Sequence, residues 1–237
     1  MFINFLMLKE YMRSEKFDFK NKYGDNLSGR LELPDGEYKA LAIFAHCFTC
    51  SKNLLAASRI PKELAKHNIG VLRFDFTGLG NSEGDFANTN FSSNVEDLIF
   101  AAKALEEKYT TPTLLIGHSF GGAAILKAAS ELKDVKALVT IGAPSDVSHI
   151  VQHFGEQLEN IENNGKAQVN LAGREFTIKK QFIDDIEEIS LLDQIGKLNI
   201  ATLIMHSPID ETVSIEHASK IFIASKHPRS FISLDQA

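Results

Sequence analysis

Apolar segments of strand length alternate with segments of helix length along most of the chain. Ala40–Ala45 is a continuous apolar run typical of a buried parallel strand, and Phe91–Lys108 carries apolar residues at helical spacing. Further strands are predicted at Gly70–Phe76, Thr113–Ile116, Ala137–Ile141, Ile200–Met205 and Phe231–Leu234, and further helices at Asn53–His67, Gly121–Leu132 and Ile215–Ala224. This alternation predicts an α/β protein, in which a mainly parallel sheet has helices on both faces.

Two segments depart from this pattern. Lys16–Lys20 and Leu27–Leu33 alternate in polarity on either side of a turn, which predicts an antiparallel hairpin at the start. Residues 145–199 interrupt the later strands with an amphipathic helix, predicted from Val147 to Ile161, and a hairpin predicted at Val169–Ile178. They hold ten acidic and five basic residues. We expect a core of residues 12–144 and 200–237, an N-terminal tail of residues 1–11, and an insertion that acts as a lid or only as a packed subdomain.

The charge and hydropathy of the chain exclude several classes of protein. The formal charge is −6, which argues against a nucleic-acid binder with a broad basic face. The apolar start, Met1–Leu8, is far shorter than the ~20 residues of a membrane span and has no basic residue or cleavage site of a signal peptide. We therefore expect a cytoplasmic protein without a membrane span, whose oligomeric state the sequence does not indicate.

The only two cysteines, Cys47 and Cys50, form a C-x-x-C pair. A lone pair of this kind lacks the other ligands of a zinc site, so no metal is predicted. Two interpretations remain: a thioredoxin-like redox motif, or two small residues in a turn that stay reduced in the cytosol.

The most specific motif is Gly117-His118-Ser119-Phe120-Gly121, which lies between an apolar strand and a helix rich in small residues. A nucleophile on a tight turn from strand to helix needs glycine on both sides. Ser119 is therefore the predicted nucleophile. The backbone N–H of Phe120, at the start of the helix, is predicted to receive a developing oxyanion. A packing turn without chemistry is the alternative.

Four motifs together resemble the α/β-hydrolase family in their order along the chain. They are His46-Cys47-Phe48-Thr49, Arg73-x-Asp75-x-x-Gly78-x-Gly80-x-Ser82, Gly117-His118-Ser119-Phe120-Gly121-Gly122 and His206-Ser207-Pro208-x-Asp210-x-x-Val213. More narrowly, the first loop resembles the hydrolase half of proteins fused to OsmC-like peroxide reductases. No OsmC-like part is present, so no peroxide-reductase activity is expected.

The resemblance implies an α/β-hydrolase fold and assigns roles to further residues. Phe48 is expected to supply the second oxyanion donor through its backbone N–H. Asp210 is expected to orient a histidine from the same edge of the sheet as Ser119. Asp75 is expected to be structural.

The resemblance also implies a histidine base just after the last strand. Only Asp235, Gln236 and Ala237 follow Phe231–Leu234, so the chain is expected to end just before that histidine. Weaker candidates for the base are His217, on the polar face of its helix, and the insertion residues His149 and His153.

These observations predict a serine hydrolase that cleaves an acyl ester or thioester of a small molecule through an acyl-enzyme on Ser119, without a cofactor. The rings of Phe48, Phe120 and Phe154 suggest an apolar acyl pocket. The alternative is a catalytically inactive module of the same fold that binds a small ligand or a partner.

Overall fold

An eight-stranded sheet forms the centre of the molecule in a computed structural model that describes residues 12–171 and 173–235. Its strands are β1 (Met12–Lys16), β4 (Gly29–Pro34), β5 (Ala40–Ala45), β6 (Ile69–Phe74), β7 (Leu114–His118), β8 (Ala137–Ile141), β11 (Ala201–His206) and β12 (Arg229–Ser233). Across the sheet they lie in the order β1-β4-β6-β5-β7-β8-β11-β12. β1 and β4 pair antiparallel, β4 also pairs antiparallel with β6, and the strands from β6 to β12 run parallel. The predicted mainly parallel sheet is confirmed.

The predicted hairpin at the start is divided between two pairings. The short strands β2 (Phe19–Lys20) and β3 (Asn26–Leu27) pair with each other. The rest of the predicted second strand belongs to β4, which joins the main sheet between β1 and β6.

Helices cover both faces of the sheet because the buried strands are apolar on both sides. In β5, Ala42 and Phe44 pack with Ala57 of helix α1 (Leu55–Lys66). Leu41 and Ile43 face the opposite layer, which contains α2 (Phe91–Lys108), α3 (Phe120–Ala128) and α7 (Ile215–Ala224). Among the described residues, no helix is both long and apolar enough to cross a membrane.

The segment between β8 and β11 contains the predicted hairpin, but its helices differ from the prediction. It contains a 3₁₀ helix (Val147–Phe154), α4 (Gln157–Asn164), the hairpin of β9 (Lys166–Leu171) and β10 (Arg174–Lys179), α5 (Lys180–Glu187) and α6 (Leu191–Ile195). The single amphipathic helix predicted from Val147 to Ile161 is wrong, because Gly155 has φ +52° and divides it. Gly165, with φ +75°, ends α4 in the left-handed conformation.

Candidate active site

Ser119 lies on the turn between β7 and α3 in a conformation that few non-glycine residues adopt. Its φ is +54° and its ψ is −124°, and its backbone N–H donates to the carbonyl oxygen of Ile141 at 2.8 Å. A Cβ on Gly117 would lie 2.4 Å from the Gly121 carbonyl oxygen, and a Cβ on Gly121 would lie 2.4 Å from two carbonyl oxygens of the β5 end. The turn therefore requires both glycines of the motif.

The N-terminus of α3 begins directly after Ser119. Phe120 is the first helical residue, so its N–H has no carbonyl acceptor within the helix. The partial positive charge of a helix N-terminus favours a negative charge at this position. The turn thus places a hydroxyl beside backbone donors that can stabilise an anion.

Asp210 lies in the loop after β11. Its Oδ1 accepts hydrogen bonds from the N–H groups of Thr212 and Val213, both at 2.9 Å. Its Oδ2 lies 3.7 Å from the Nε2 of buried His206, which is 2.7 Å from the carbonyl oxygen of Val213. These contacts fix one carboxylate oxygen in the loop and leave the other more open.

The end of β8 lies between Ser119 and Asp210. Ile141 accepts the N–H of Ser119, and the N–H of the next residue, Gly142, donates to Met205 of β11. Gly142 has φ +55°, and a Cβ there would lie 3.3 Å from Asp210 Oδ2. Burial lowers the pKa of His118, and the negative charge of the Asp210 carboxylate partly opposes this effect. Both predicted residues thus lie at the carboxyl edge of three neighbouring parallel strands, where open α/β sheets place their sites.

Within residues 12–171 and 173–235, no hydrogen bond joins a histidine to the Ser119 hydroxyl. His46 is fully buried, with Nδ1 2.8 Å from the Cys47 carbonyl oxygen, and burial lowers its pKa to about 4. His118 and His206 each have a buried Nδ1 without a partner in this part of the chain. His46 and His206 thus each have a ring nitrogen within hydrogen-bond distance of a loop carbonyl oxygen.

His217 is half-buried, and its polar contacts are with the insertion. Its Nδ1 accepts the N–H of Ser145 at 3.1 Å and is 2.9 Å from the Ser145 hydroxyl. Its ring packs against His149 with centroids 4.8 Å apart, and the Nε2 of His149 is 2.8 Å from the Thr212 carbonyl oxygen. Burial and the neighbouring His149 lower the pKa of both His153 and His217.

Aromatic rings fill the space beside the Ser119 turn. The ring centroid of Phe48 lies 4.8 Å from that of Phe120 and 5.2 Å from that of Phe182 of α5, and Phe154 lies 6.0 Å from Phe182. All four side chains are buried. The three phenylalanines predicted to line an acyl pocket therefore lie in one cluster. The fourth ring of this cluster, Phe182, was not predicted.

Two buried ion pairs hold the loop that carries Phe48. The Lys52 ammonium pairs with Asp75, whose Oδ1 also accepts the backbone N–H of Lys52 at 2.6 Å. The Arg73 guanidinium pairs with Glu32 at 3.1 Å and donates to the Lys52 carbonyl oxygen. All four side chains are at least nine-tenths buried. Asp75 therefore supports this loop, in agreement with its predicted structural role.

Cys47 and Cys50 are joined by a disulfide within the same loop. This corrects the expectation of two reduced cysteines. The N–H of Cys50 donates to the Cys47 carbonyl oxygen at 3.1 Å, so the disulfide closes a tight turn around Phe48 and Thr49. Among the described residues, no group of three or more His, Cys, Asp or Glu side chains could hold a metal ion.

The sheet order, the inserted segment and the serine on a glycine-flanked turn define an α/β hydrolase. A family described as serine aminopeptidase, S33, matches residues 36–191, and the chain belongs to that family. Its fold is also that of the crystal structure of an esterase domain from a Rhodothermus marinus protein. That structure is 46% identical, with a TM-score of 0.77 and coverage of 95% of this chain and 89% of that one.

Two curated proteins are also similar in sequence. The mitochondrial palmitoyl-protein thioesterase ABHD10 of Mus musculus is 26% identical over 206 residues, which cover 81% of this chain and 68% of that protein. The monoglyceride lipase of Rattus norvegicus is 30% identical over 113 residues, which cover 47% of this chain and 37% of that protein.

Proposed function

We propose that the protein is a serine hydrolase that cleaves an acyl ester or thioester through an acyl-enzyme on Ser119. The observation that carries this proposal is the strained Ser119 turn, which presents a hydroxyl at the N-terminus of α3. Strain of about 1–3 kcal/mol at a single residue persists where the surrounding structure enforces it, most often at functional sites. The similar proteins whose names state an activity act as an esterase, a thioesterase and a lipase, which agrees with acyl chemistry.

In the proposed mechanism, the Ser119 oxygen attacks the acyl carbonyl carbon while a histidine base takes the hydroxyl proton. The carbonyl oxygen becomes an oxyanion held by the N–H groups of Phe48 and Phe120. The tetrahedral intermediate collapses, the alcohol or thiol leaves with the proton, and water then hydrolyses the acyl-enzyme by the same route. Asp210 would orient the histidine through its open Oδ2 and stabilise the imidazolium.

We further propose that residues 145–199 are a lid over the acyl site. Phe154 and Phe182 pack on the cluster beside Ser119, and Arg174 of β10 donates to the carbonyl oxygen of Thr49 at 2.6 Å. These contacts join the insertion to the loop that carries the proposed oxyanion donor. An acyl chain that occupies this apolar space would displace the rings of the insertion.

The proposed nucleophile is tested by treating the protein with a fluorophosphonate and locating the adduct by mass spectrometry. We expect an adduct on Ser119 and none in Ser119→Ala; Ser92→Ala, a change of a serine on α2, is the matched control. Labelling elsewhere, or no labelling, would favour the inactive binding module.

The base is tested separately by chemical rescue. Because no described histidine forms a hydrogen bond with the Ser119 hydroxyl, free imidazole should accelerate hydrolysis of a p-nitrophenyl ester beyond the background measured with Ser119→Ala. If the protein shows an ordinary turnover that imidazole does not change, one of its own histidines acts as the base, and His217→Ala and His149→Ala would show which.

A further inference from the structure

We propose that the Cys47–Cys50 disulfide is a redox-active site whose reduction by a dithiol lowers acyl turnover by releasing the Phe48 N–H from its fixed position. This inference rests on the proposed hydrolase function. The exchange of this disulfide with a dithiol does not depend on that function, because it involves the loop alone and can be measured without any substrate.

The first argument is position. The two cysteines flank Phe48 and Thr49, so the disulfide spans the residue that carries the proposed oxyanion donor. Their Cα atoms lie 5.3 Å apart, and the Cys50 N–H also closes the turn on the Cys47 carbonyl oxygen. Any change in this bond therefore acts directly on the backbone at Phe48.

The second argument is what else holds the loop. His46 anchors one side by its burial, and the buried Lys52–Asp75 pair anchors the other side. Between these anchors, the described constraints are the disulfide, the Cys50 N–H bond to the Cys47 carbonyl oxygen, the packing of the Phe48 ring and the Arg174 bond to Thr49. Reduction leaves both anchors in place, so the protein stays folded while the turn between them gains freedom.

The third argument is access and charge. Both cysteines are half-buried rather than enclosed, so a thiol in solution can approach them. The Arg174 guanidinium lies against Thr49, between the two cysteines, and a nearby cation favours the thiolate form that takes part in exchange. His46 adds no charge at neutral pH, because burial lowers its pKa to about 4.

The exchange balances in two steps. One thiolate of the dithiol attacks a sulfur of the disulfide, the Cys47–Cys50 bond breaks, and a mixed disulfide forms. The second thiolate of the dithiol then displaces the remaining cysteine. The protein gains two electrons and two protons as two thiols, and the dithiol is oxidised to its own disulfide.

The expected kinetic effect is a fall in kcat with little change in KM. An oxyanion donor acts on charge that exists only in the transition state, so its displacement spares substrate binding. Removal of one such donor costs about 10²–10³-fold in kcat, and a loosened donor should cost roughly tenfold.

The experiment incubates the protein in buffers of defined dithiothreitol ratio, alkylates free thiols and measures intact mass. In parallel it records amide hydrogen exchange over residues 46–51 and hydrolysis of a p-nitrophenyl ester. We expect no alkylation of the oxidised form and two alkylations of the reduced form. With reduction, exchange over this segment should become faster and kcat should fall about tenfold, an estimate from the oxyanion-donor argument above.

The double variant Cys47→Ser/Cys50→Ser is the matched control. It should show the kcat of the reduced protein and no response to dithiothreitol, which excludes a reaction of the reagent with the substrate. If the variant does not fold, wild type that has been reduced, alkylated and freed of dithiothreitol gives the same comparison.

Two free thiols in the protein purified in air, or equal amide exchange in both redox states, would overturn the inference. An unchanged kcat in fully alkylated protein would overturn it as well. If neither redox state hydrolyses the ester but amide exchange responds as expected, the hydrolase function has failed while the redox-active site stands.

Discussion

At the scale of single residues, the glycines of the Ser119 turn have different functions in the packing. Gly117 makes room for the first turn of α3, whereas Gly121 lets that helix approach the end of β5. A methyl group on Gly121 would meet the carbonyl oxygens of Ala45 and His46, both at 2.4 Å. Backbone atoms in the centre of a sheet cannot move aside easily, so this contact fixes how closely the helix approaches.

We predict that Gly121→Ala destabilises the protein by about 1–3 kcal/mol, the usual cost of overpacking a core, and lowers reaction of Ser119 with a fluorophosphonate. Gly36→Ala is the control, because no atom lies within 4 Å of its added methyl group. Urea unfolding measures the difference, and equal stability of the two variants would contradict the packing argument.

At the scale of elements, the loop between β5 and α1 is held by charges rather than by regular structure. Lys52 and Asp75 are buried together, and removal of one partner leaves the other charge without compensation. Such a loss typically costs about 3–5 kcal/mol, although replacement of both partners can cost far less.

We predict that Lys52→Met and Asp75→Asn each destabilise the protein strongly, and that the double variant is more stable than the sum of the two changes implies. A double-mutant cycle measured by urea unfolding gives this coupling energy. The exposed pair Lys66–Glu63 is the control, with an expected coupling below about 1 kcal/mol. Additive effects at Lys52 and Asp75 would mean that their contact is not energetically coupled.

The helices of the insertion are expected to control which acyl groups fit. Phe182 of α5 contacts Phe48 and Phe154 and is buried. Its truncation would leave space beside the Ser119 turn rather than at the surface.

We predict that Phe182→Ala shifts the preference among p-nitrophenyl esters toward longer acyl chains, measured as the ratio of kcat/KM for octanoate to that for acetate. Phe231→Ala, at a ring 42% exposed on the last strand, should leave the ratio unchanged. An unchanged ratio in Phe182→Ala would place the acyl group elsewhere.

The sequence predicted the strands and the ends at which Ser119 and Asp210 lie, because apolar runs and glycine turns are local signals. It did not predict the partners of the Phe48 loop. Arg174 and Thr49 are 125 residues apart, and no local pattern connects them. The break at Gly155 was also missed, because Phe154, Leu158 and Ile161 keep helical spacing across it while all three pack toward the core.

At the scale of the whole molecule, two buried groups make stability depend on pH in opposite directions. Burial lowers the pKa of His46 to about 4 from 6.5. Between these pH values the unfolded chain binds a proton that the folded protein does not, so the free energy of unfolding decreases as the pH falls from about 6.5 to 4. Burial raises the pKa of Asp97 to about 7 from 3.8, although Thr77 donates hydrogen bonds to it. The folded protein therefore retains a proton on Asp97 that the unfolded chain releases, and this group lowers stability as the pH rises from about 4 to 7.

We predict that Asp97→Asn raises the free energy of unfolding relative to wild type more at pH 8 than at pH 5, by up to about 3 kcal/mol, because only the part of the pKa shift that lies between pH 5 and 7 separates the two conditions. At pH 5 the wild-type carboxyl is protonated and resembles the amide, whereas at pH 8 it carries a buried charge. Guanidinium unfolding at both pH values measures the difference. Asp134→Asn, on the surface, should give the same change at both, and so should Asp97→Asn if burial does not perturb the carboxyl.

The burial of the two ion pairs behind the Phe48 loop has a consequence for the tolerance of the protein to salt. Dissolved ions screen exposed charges within about 8 Å at physiological ionic strength, so surface pairs such as Lys180–Asp184 weaken as sodium chloride is added. Lys52–Asp75 and Arg73–Glu32 lie where those ions do not reach. The conformation of the loop that would bind the oxyanion should therefore not change between low and molar concentrations of sodium chloride.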